Sequence, residues 1–226
     1  MLYTSTRGSK PVSAAEAIIA GLAPDGGLYV PQSLPSFSLD EIQAMVNLDY
    51  SCRAAKVMAK FLTDFTEEEL GDYTQKAYSQ QKFAPKSTAP LIRLSDNAYI
   101  LELFHGPTCA FKDFALQVMP YLLTASLKKC GVDKTVVILV ATSGDTGKAA
   151  LMGFSDVPGM KICVFYPDGG VSPIQRLQMV SQKGDNVMVF AVDGNFDDAQ
   201  SGVKRIFTDH DFQKQLAQNG YLLSSA

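Results

Sequence analysis

Two short segments concentrate the reactive side chains of this sequence. The first, His105-Gly-Pro-Thr-Cys-Ala-Phe-Lys-Asp-Phe114, sets Lys112 between two phenylalanines at the start of an amphipathic run. A solvated lysine does not ordinarily sit between rings at a helix start. Desolvation and the positive end of a helix both disfavour the ammonium form, and a neutral amine is what Schiff-base chemistry with a carbonyl requires. The competing account of Phe111-Lys112-Asp113 is a lysine that lays its stem on apolar surface and pairs with Asp113. His105 is either a structural histidine hydrogen-bonded in a turn or a member of the site.

The second segment is Ser143-Gly144-Asp145-Thr146-Gly147, between an apolar run and a helical one. Glycines let a backbone approach a ligand closely, and a helix N-terminus presents free amides and a positive dipole. With two hydroxyls and a carboxylate added, the loop suits a carboxylate or phosphate. It is not a P-loop, because Gly144 and Lys148 have the wrong spacing. The alternative is a plain turn in which Asp145 or Thr146 caps the helix. A third segment, Asp168-Gly-Gly-Val-Ser-Pro173 with Arg176 beyond it, reads as a second amide cluster or as a Gly-Gly turn followed by a cap.

These loops need a frame. Residues 1–85 read as mainly helical, with capping boxes at Ser13-x-x-Glu16, Ser38-x-x-Glu41 and Thr66-x-x-Glu69. Pro24-Asp-Gly-Gly-Leu-Tyr-Val-Pro31 is a turn leading into a short extended piece, and Pro85 to Pro90 is the natural linker. From residue 90 to 226 strands and helices alternate. Strands are expected at Ala98–Phe104, Thr135–Val140, Lys161–Tyr166, Val187–Val192 and Tyr221–Leu223. Helices are expected over Asp113–Lys129, after the Ser143–Gly147 loop, after the Ser172-Pro173-Ile-Gln175 capping box, and over Phe196–Phe207. The β-branched run at 135–140 suits a strand buried on both faces, and the alternation predicts an α/β fold with an open parallel sheet of βαβ units. Gly220 to Ala226 reads as a turn and the opening of a buried strand, so this region is expected to be incomplete at its C-terminal end.

Composition narrows the function classes. With a net charge of −3 and 19% charged residues, nothing suggests a nucleic-acid or membrane-surface partner. No run approaches the roughly 18–20 apolar residues of a membrane helix, and Met1–Lys10 lacks a signal-peptide core. Cys52, Cys109, Cys130 and Cys163 are too scattered for a disulfide framework or zinc site, which favours reduced thiols in a cytoplasm. Two histidines are too few for a histidine-rich metal site.

Taken in order, the segments resemble the threonine synthases, which are pyridoxal-phosphate enzymes of fold-type II, similar to the tryptophan synthase β-like group. The resemblance is carried by Tyr3-Thr-Ser-Thr-Arg7, Gly21-Leu-Ala-Pro-Asp-Gly-Gly-Leu-Tyr-Val-Pro31, Leu103 to Phe114 and Ala141 to Gly147. It implies an N-terminal helical domain over 1–85 and a cofactor domain over 90–226. It also implies that Lys112 carries pyridoxal 5′-phosphate and removes the α-proton of O-phospho-L-homoserine, with phosphate lost from Cγ and water added at Cβ to give L-threonine. Phe111 would brace the lysine. Ser143, Gly144, Asp145 and Thr146 would meet the substrate carboxylate, with Asp145 near the cofactor's O3′, where many relatives carry Asn. The family's glycine-rich phosphate loop and ring-nitrogen partner have no counterpart here, and Asp193-Gly-Asn-Phe196 reads as a helix start. Two alternatives stand beside this one: a related lyase that releases 2-oxobutyrate, and a non-catalytic fragment or interaction module.

Overall fold

The computed structural model describes residues 1–225. Near the N-terminus, β1 (Tyr3–Ser5) pairs antiparallel with β2 (Tyr29–Pro31), so the first 85 residues are not wholly helical. Four helices accompany them: α1 (Ala14–Ala20), α2 (Leu39–Met45), α3 (Tyr50–Phe61) and α4 (Glu67–Ala77). Capping boxes at Ser13, Ser38 and Thr66 start α1, α2 and α4, each hydroxyl accepting from the N3 amide while the glutamate accepts from the cap residue's own N–H.

The next elements depart from the sequence expectation. Ala98–Leu101 (β4) pairs antiparallel with Leu91–Ser95 (β3) across Asp96-Asn97, and does not join the parallel sheet. Both strands are exposed along their whole length. The helix expected over 113–129 is broken into α5 (Asp113–Leu116) and α6 (Met119–Lys129). Pro120 is the cause: it offers no amide to the Leu116 carbonyl, and its ring displaces that carbonyl from the helix axis. The other end of α6 is a Schellman motif, with Gly131 left-handed, its amide donating to Lys128 and the Val132 amide to Leu127.

Beyond it lies the sheet: β5 (Thr135–Ala141), α7 (Asp145–Phe154), β6 (Met160–Pro167), α8 (Pro173–Val180), β7 (Val187–Val192), α9 (Phe196–Thr208), α10 (His210–Gln218) and β8 (Tyr221–Ser225). All neighbouring strands are parallel, in the order β7-β6-β5-β8. The chain winds outward from β5 to β7, then returns to place β8 on the other side of β5. Right-handed crossovers in both directions put α7 and α8 on one face and α9 with α10 on the other.

Two apolar cores result. One fills the sheet side, from Val136, Ile138, Val140, Ile162 and Val164 to Leu151, Phe154 and Met179. The other joins Ala55, Phe65, Leu70, Ala77 and Phe83 of the N-terminal region to Val118, Leu122 and Ala125. Helix α6 faces both, since Leu123 belongs to the first core and Leu122 to the second. Ile18 of α1 packs against both as well, and α1 also supports the sheet edge, where the Ser224 hydroxyl donates to the Ile19 carbonyl.

Candidate functional site

Lys112 occupies the N-cap position of α5, with helical dihedrals and a half-buried side chain. The two flanking phenylalanines behave differently. Phe114 is held by Tyr50, Tyr78 and Phe83, with ring centroids at 5.7, 6.3 and 5.0 Å, and its carbonyl accepts from the Tyr78 hydroxyl at 2.8 Å. Phe111 is 56% exposed, and the Lys112 Nζ lies 5.1 Å from its ring centroid. One ring anchors the helix to the N-terminal core; the other lies beside the amine.

The loop before the lysine is tied by Asp113. This carboxylate is fully buried; Oδ2 accepts from the Thr108 amide at 2.8 Å and Oδ1 from the Thr108 hydroxyl at 2.7 Å. A Cβ on Gly106 would come within 2.5 Å of the same carboxylate, so the loop folds over Asp113 only with glycine there. Cys109 completes the turn with a left-handed φ of 59°. Asp113 therefore does not pair with Lys112, and among the described residues Lys112 has no ion-pair partner. His105 is turned away to Glu102, Nε2 to Oε2 at 2.6 Å, with its ring beside Phe104.

The Ser143–Gly147 loop follows β5 at the carboxyl edge of the sheet. Because the winding direction reverses at β5, this is a topological switch point, where open parallel sheets hold ligands. Buried Thr142 organises the loop: its Oγ1 accepts from the Gly144 amide at 3.0 Å and the Gly147 amide at 2.9 Å. The Asp145 carboxylate accepts from the Thr146 amide at 2.8 Å, so it is folded back on the helix start. With these three amides committed, Ser143 and Asp145 are the loop's remaining backbone donors, beside the Ser143 hydroxyl and the Thr146 hydroxyl, which reaches Asp145 Oδ1 only at 3.5 Å. Gly144 has φ 150°, and a Cβ there would lie 2.5 Å from the Gln175 side chain; the first turn of α8 rests on this loop.

Helices α5 and α7 run side by side, with Asp113 in the field of Lys148 and Leu116 against Gly153. The start of α5, with Lys112, is thereby set beside the start of α7. Lys148 donates to Gln182 Oε1 at 2.5 Å; burial lowers its pKa, while Asp113 pulls in the opposite direction. Thr108, Thr142, Gln175 and Lys148 were not singled out by sequence reasoning. The threonines carried a signal, each a hydroxyl two residues from a glycine in a loop, and Gln175 had one only as the last residue of a capping box.

The third loop is a turn and a cap: Ser172 and Gln175 form the capping box of α8, with Pro173 at its first position. Asn195 caps α9, accepting from the amides of Asp197 and Asp198 at 2.8 and 3.1 Å, as a helix start requires. Among the described residues there is no cluster of metal-ligating side chains, and no helix is long and apolar enough to cross a membrane.

An unpaired lysine beside a ring and an amide-bearing loop at the switch point of a parallel sheet sit in one α/β protein. The chain belongs to the pyridoxal-phosphate-dependent enzyme family, whose model matches residues 86–225, while residues 2–78 match the threonine synthase N terminus. The threonine synthase of Pseudomonas aeruginosa is 45% identical over 216 residues, covering 95% of this chain and 45% of that protein. A structure of threonine synthase with bound pyridoxal phosphate from Brucella melitensis superposes with a TM-score of 0.87 at 37% identity, over 100% of this chain and 47% of that one. For the Escherichia coli threonine synthase structure the TM-score is 0.83 at 37% identity, over 100% and 49%. The chain spans about half the length of the curated relatives it matches.

Proposed function

We propose that this chain supplies the lysine-bearing part of a cytoplasmic threonine synthase, which converts O-phospho-L-homoserine and water to L-threonine and phosphate. The observation that carries the proposal is the free Lys112 amine. An amine that condenses with an aldehyde must not be locked in an ion pair, and Asp113 is committed to Thr108 instead. The site fits the cofactor on that ground. Pyridoxal phosphate, when bound, supplies the electron sink that makes protons on the amino acid's carbon chain removable.

The remaining roles belong to the chain's own groups. Asp113, by holding Thr108, sets the direction from which Lys112 leaves α5, and Phe111 limits the space the amine can sweep. Lys112 is the base that takes the proton from the substrate's Cα. The Ser143 and Asp145 amides, with the Ser143 and Thr146 hydroxyls, bind the substrate carboxylate at the positive end of α7. Gly144 contributes by its absent side chain and by its N–H, which donates to the Thr142 hydroxyl and holds the loop in place. Asp145, whose carboxylate accepts from the Thr146 amide at the start of α7, would place its charge near the O3′ side of a bound cofactor and so influence the ring. The division into a domain over 1–85 and a domain over 90–226 is part of the same reading.

The test is made on the complete gene product that carries this chain. Lys112→Ala is expected to abolish the visible absorbance of protein-bound pyridoxal phosphate and to lower threonine formation by about 10²–10⁴-fold or more. An unchanged absorbance band would remove Lys112 from its role. Phosphate release with 2-oxobutyrate and no threonine would replace the synthase by a related lyase. Neither cofactor absorbance nor phosphate release would leave a non-catalytic module.

A further inference from the structure

Away from the lysine loop, a groove of about 430 Å³ opens between α4, α6 and the turn after α7. Its size is that of a small-molecule site. One wall is aromatic: the rings of Tyr73 and Tyr121 lie nearly parallel, 10° apart, with centroids at 6.1 Å. Val157 and Pro158 add to the apolar lining. Three lysines border the groove, and they are not equivalent. Lys129 is neutralised by Glu69, with both carboxylate oxygens at 2.8 Å. The other acid in the lining, Asp156, is engaged elsewhere, accepting from the Asp185 amide at 3.0 Å and the Ser155 hydroxyl at 3.4 Å.

Lys82 and Lys128 are left without a carboxylate partner among the described residues. The Lys82 Nζ stands 5.6 Å from the Tyr121 ring centroid. Its burial pushes the ammonium's pKa down, as expected for a cation that has lost water and gained no counter-charge. Such a cation favours an anion, and the tyrosines beside it favour a flat apolar body.

We propose that this groove binds a small planar aromatic anion, its ring against Tyr121 and its carboxylate or phosphate between Lys82 and Lys128. No residue of the lysine loop or of Ser143–Gly147 lines it, so the proposal stands apart from the reading of the active site. Because its walls come from α4, α6 and the turn after α7, an occupant would bridge the two cores.

The experiment titrates phenyl phosphate and benzoate into the complete gene product that carries this chain, followed by amide chemical shifts and calorimetry, with inorganic phosphate and phenol as controls. Saturable shifts around Tyr73, Tyr121 and Val157 with either aryl anion support the proposal; which of the two binds tells phosphate from carboxylate. Lys82→Met and Lys128→Met should each weaken binding about tenfold or more, the usual effect of removing a charged hydrogen-bond partner. Lys82→Arg should retain it. Lys128 is exposed, so its variant answers the question even where Lys82→Met disturbs the fold. Three results overturn the proposal: no saturable binding of either aryl anion, equal binding by Lys128→Met and wild type, or shifts centred on Ser143–Gly147. Inorganic phosphate binding as tightly as phenyl phosphate would overturn the aromatic half of it.

Discussion

At the scale of single residues, Asp113 organises the lysine loop. Truncation to alanine leaves the Thr108 amide and hydroxyl without an acceptor in a buried position, a loss of about 3 kcal/mol. Asp113→Asn keeps one acceptor and should lose about half of that; urea midpoints measure both. An equal, negligible loss in the two variants would mean that the loop holds itself. Cys109 tests the same loop from the opposite direction, because a left-handed φ costs a non-glycine residue about 1–2 kcal/mol. Cys109→Gly, exposed and without a core contact to lose, should raise the melting temperature slightly or leave it unchanged. Phe111-Lys112-Asp113 alone reads as readily as a lysine lying on apolar surface; the ordered blocks Leu103 to Phe114 and Ala141 to Gly147 are what single Lys112 out in the sequence. The partner of Asp113 was not legible there. A neighbouring carboxylate reads naturally as an ion-pair partner for Lys112, and only the path of the backbone shows that Thr108 reaches it first.

At the scale of elements, the strands and helices of the sheet region were mostly legible, since β-branched runs and capping boxes are local signals. Two elements were misread, each for its own reason. Pro120 sits where a helix can restart, so the apolar periodicity ran unbroken through α5 and α6 while the backbone did not. β3 and β4 pair with each other across a two-residue turn, and strand propensity does not say which edge a strand will find. The break at Pro120 also has a use. It frees the Leu116 carbonyl, which packs against Gly153 of α7, where a Cβ would overlap the oxygen. Gly153→Ala should therefore destabilise by about 2 kcal/mol through overpacking. Gly71→Ala, in open space on α4, should stabilise by about 0.5–1 kcal/mol from helix propensity. Thermal denaturation of the two variants decides whether crowding at α5–α7 is the reason for glycine at 153, since equal effects would exclude it.

Across the whole molecule, acid should loosen the structure through its caps. The Lys129 ammonium, then the Thr66 amide, hold the Glu69 carboxyl below its ordinary value; the Lys60 ammonium, then the Ser38 amide, do so for Glu41, and hydrogen bonds at the caps for Glu16 and Asp49. A carboxylate with a lowered folded-state pKa adds stability above its unfolded value and loses it as pH falls through the folded value. Stability should accordingly decline from about pH 5 downward. Glu69→Gln should flatten that decline in urea midpoints taken at pH 7 and pH 4; an unchanged slope would exclude this pair as a contributor. The β3–β4 hairpin bears on solubility. Leu91, Leu94, Tyr99 and Leu101 are all more than half exposed, an apolar surface larger than scattered side chains require. Leu94→Glu with Tyr99→Glu should reduce concentration-dependent self-association in sedimentation velocity, with no change in melting temperature.

The sequence by itself determined the lysine, the glycine-bearing loop, the caps and the alternation that makes a parallel sheet, because each is written in contiguous residues. The tertiary structure decided which of these meet. The return of the chain to place β8 beside β5 makes the Ser143–Gly147 loop a switch point. The parallel run of α5 and α7 sets the start of one beside the start of the other, and the placement of α6 between two cores joins the N-terminal helices to the sheet. Each depends on contacts between residues far apart in the chain, which no local pattern specifies.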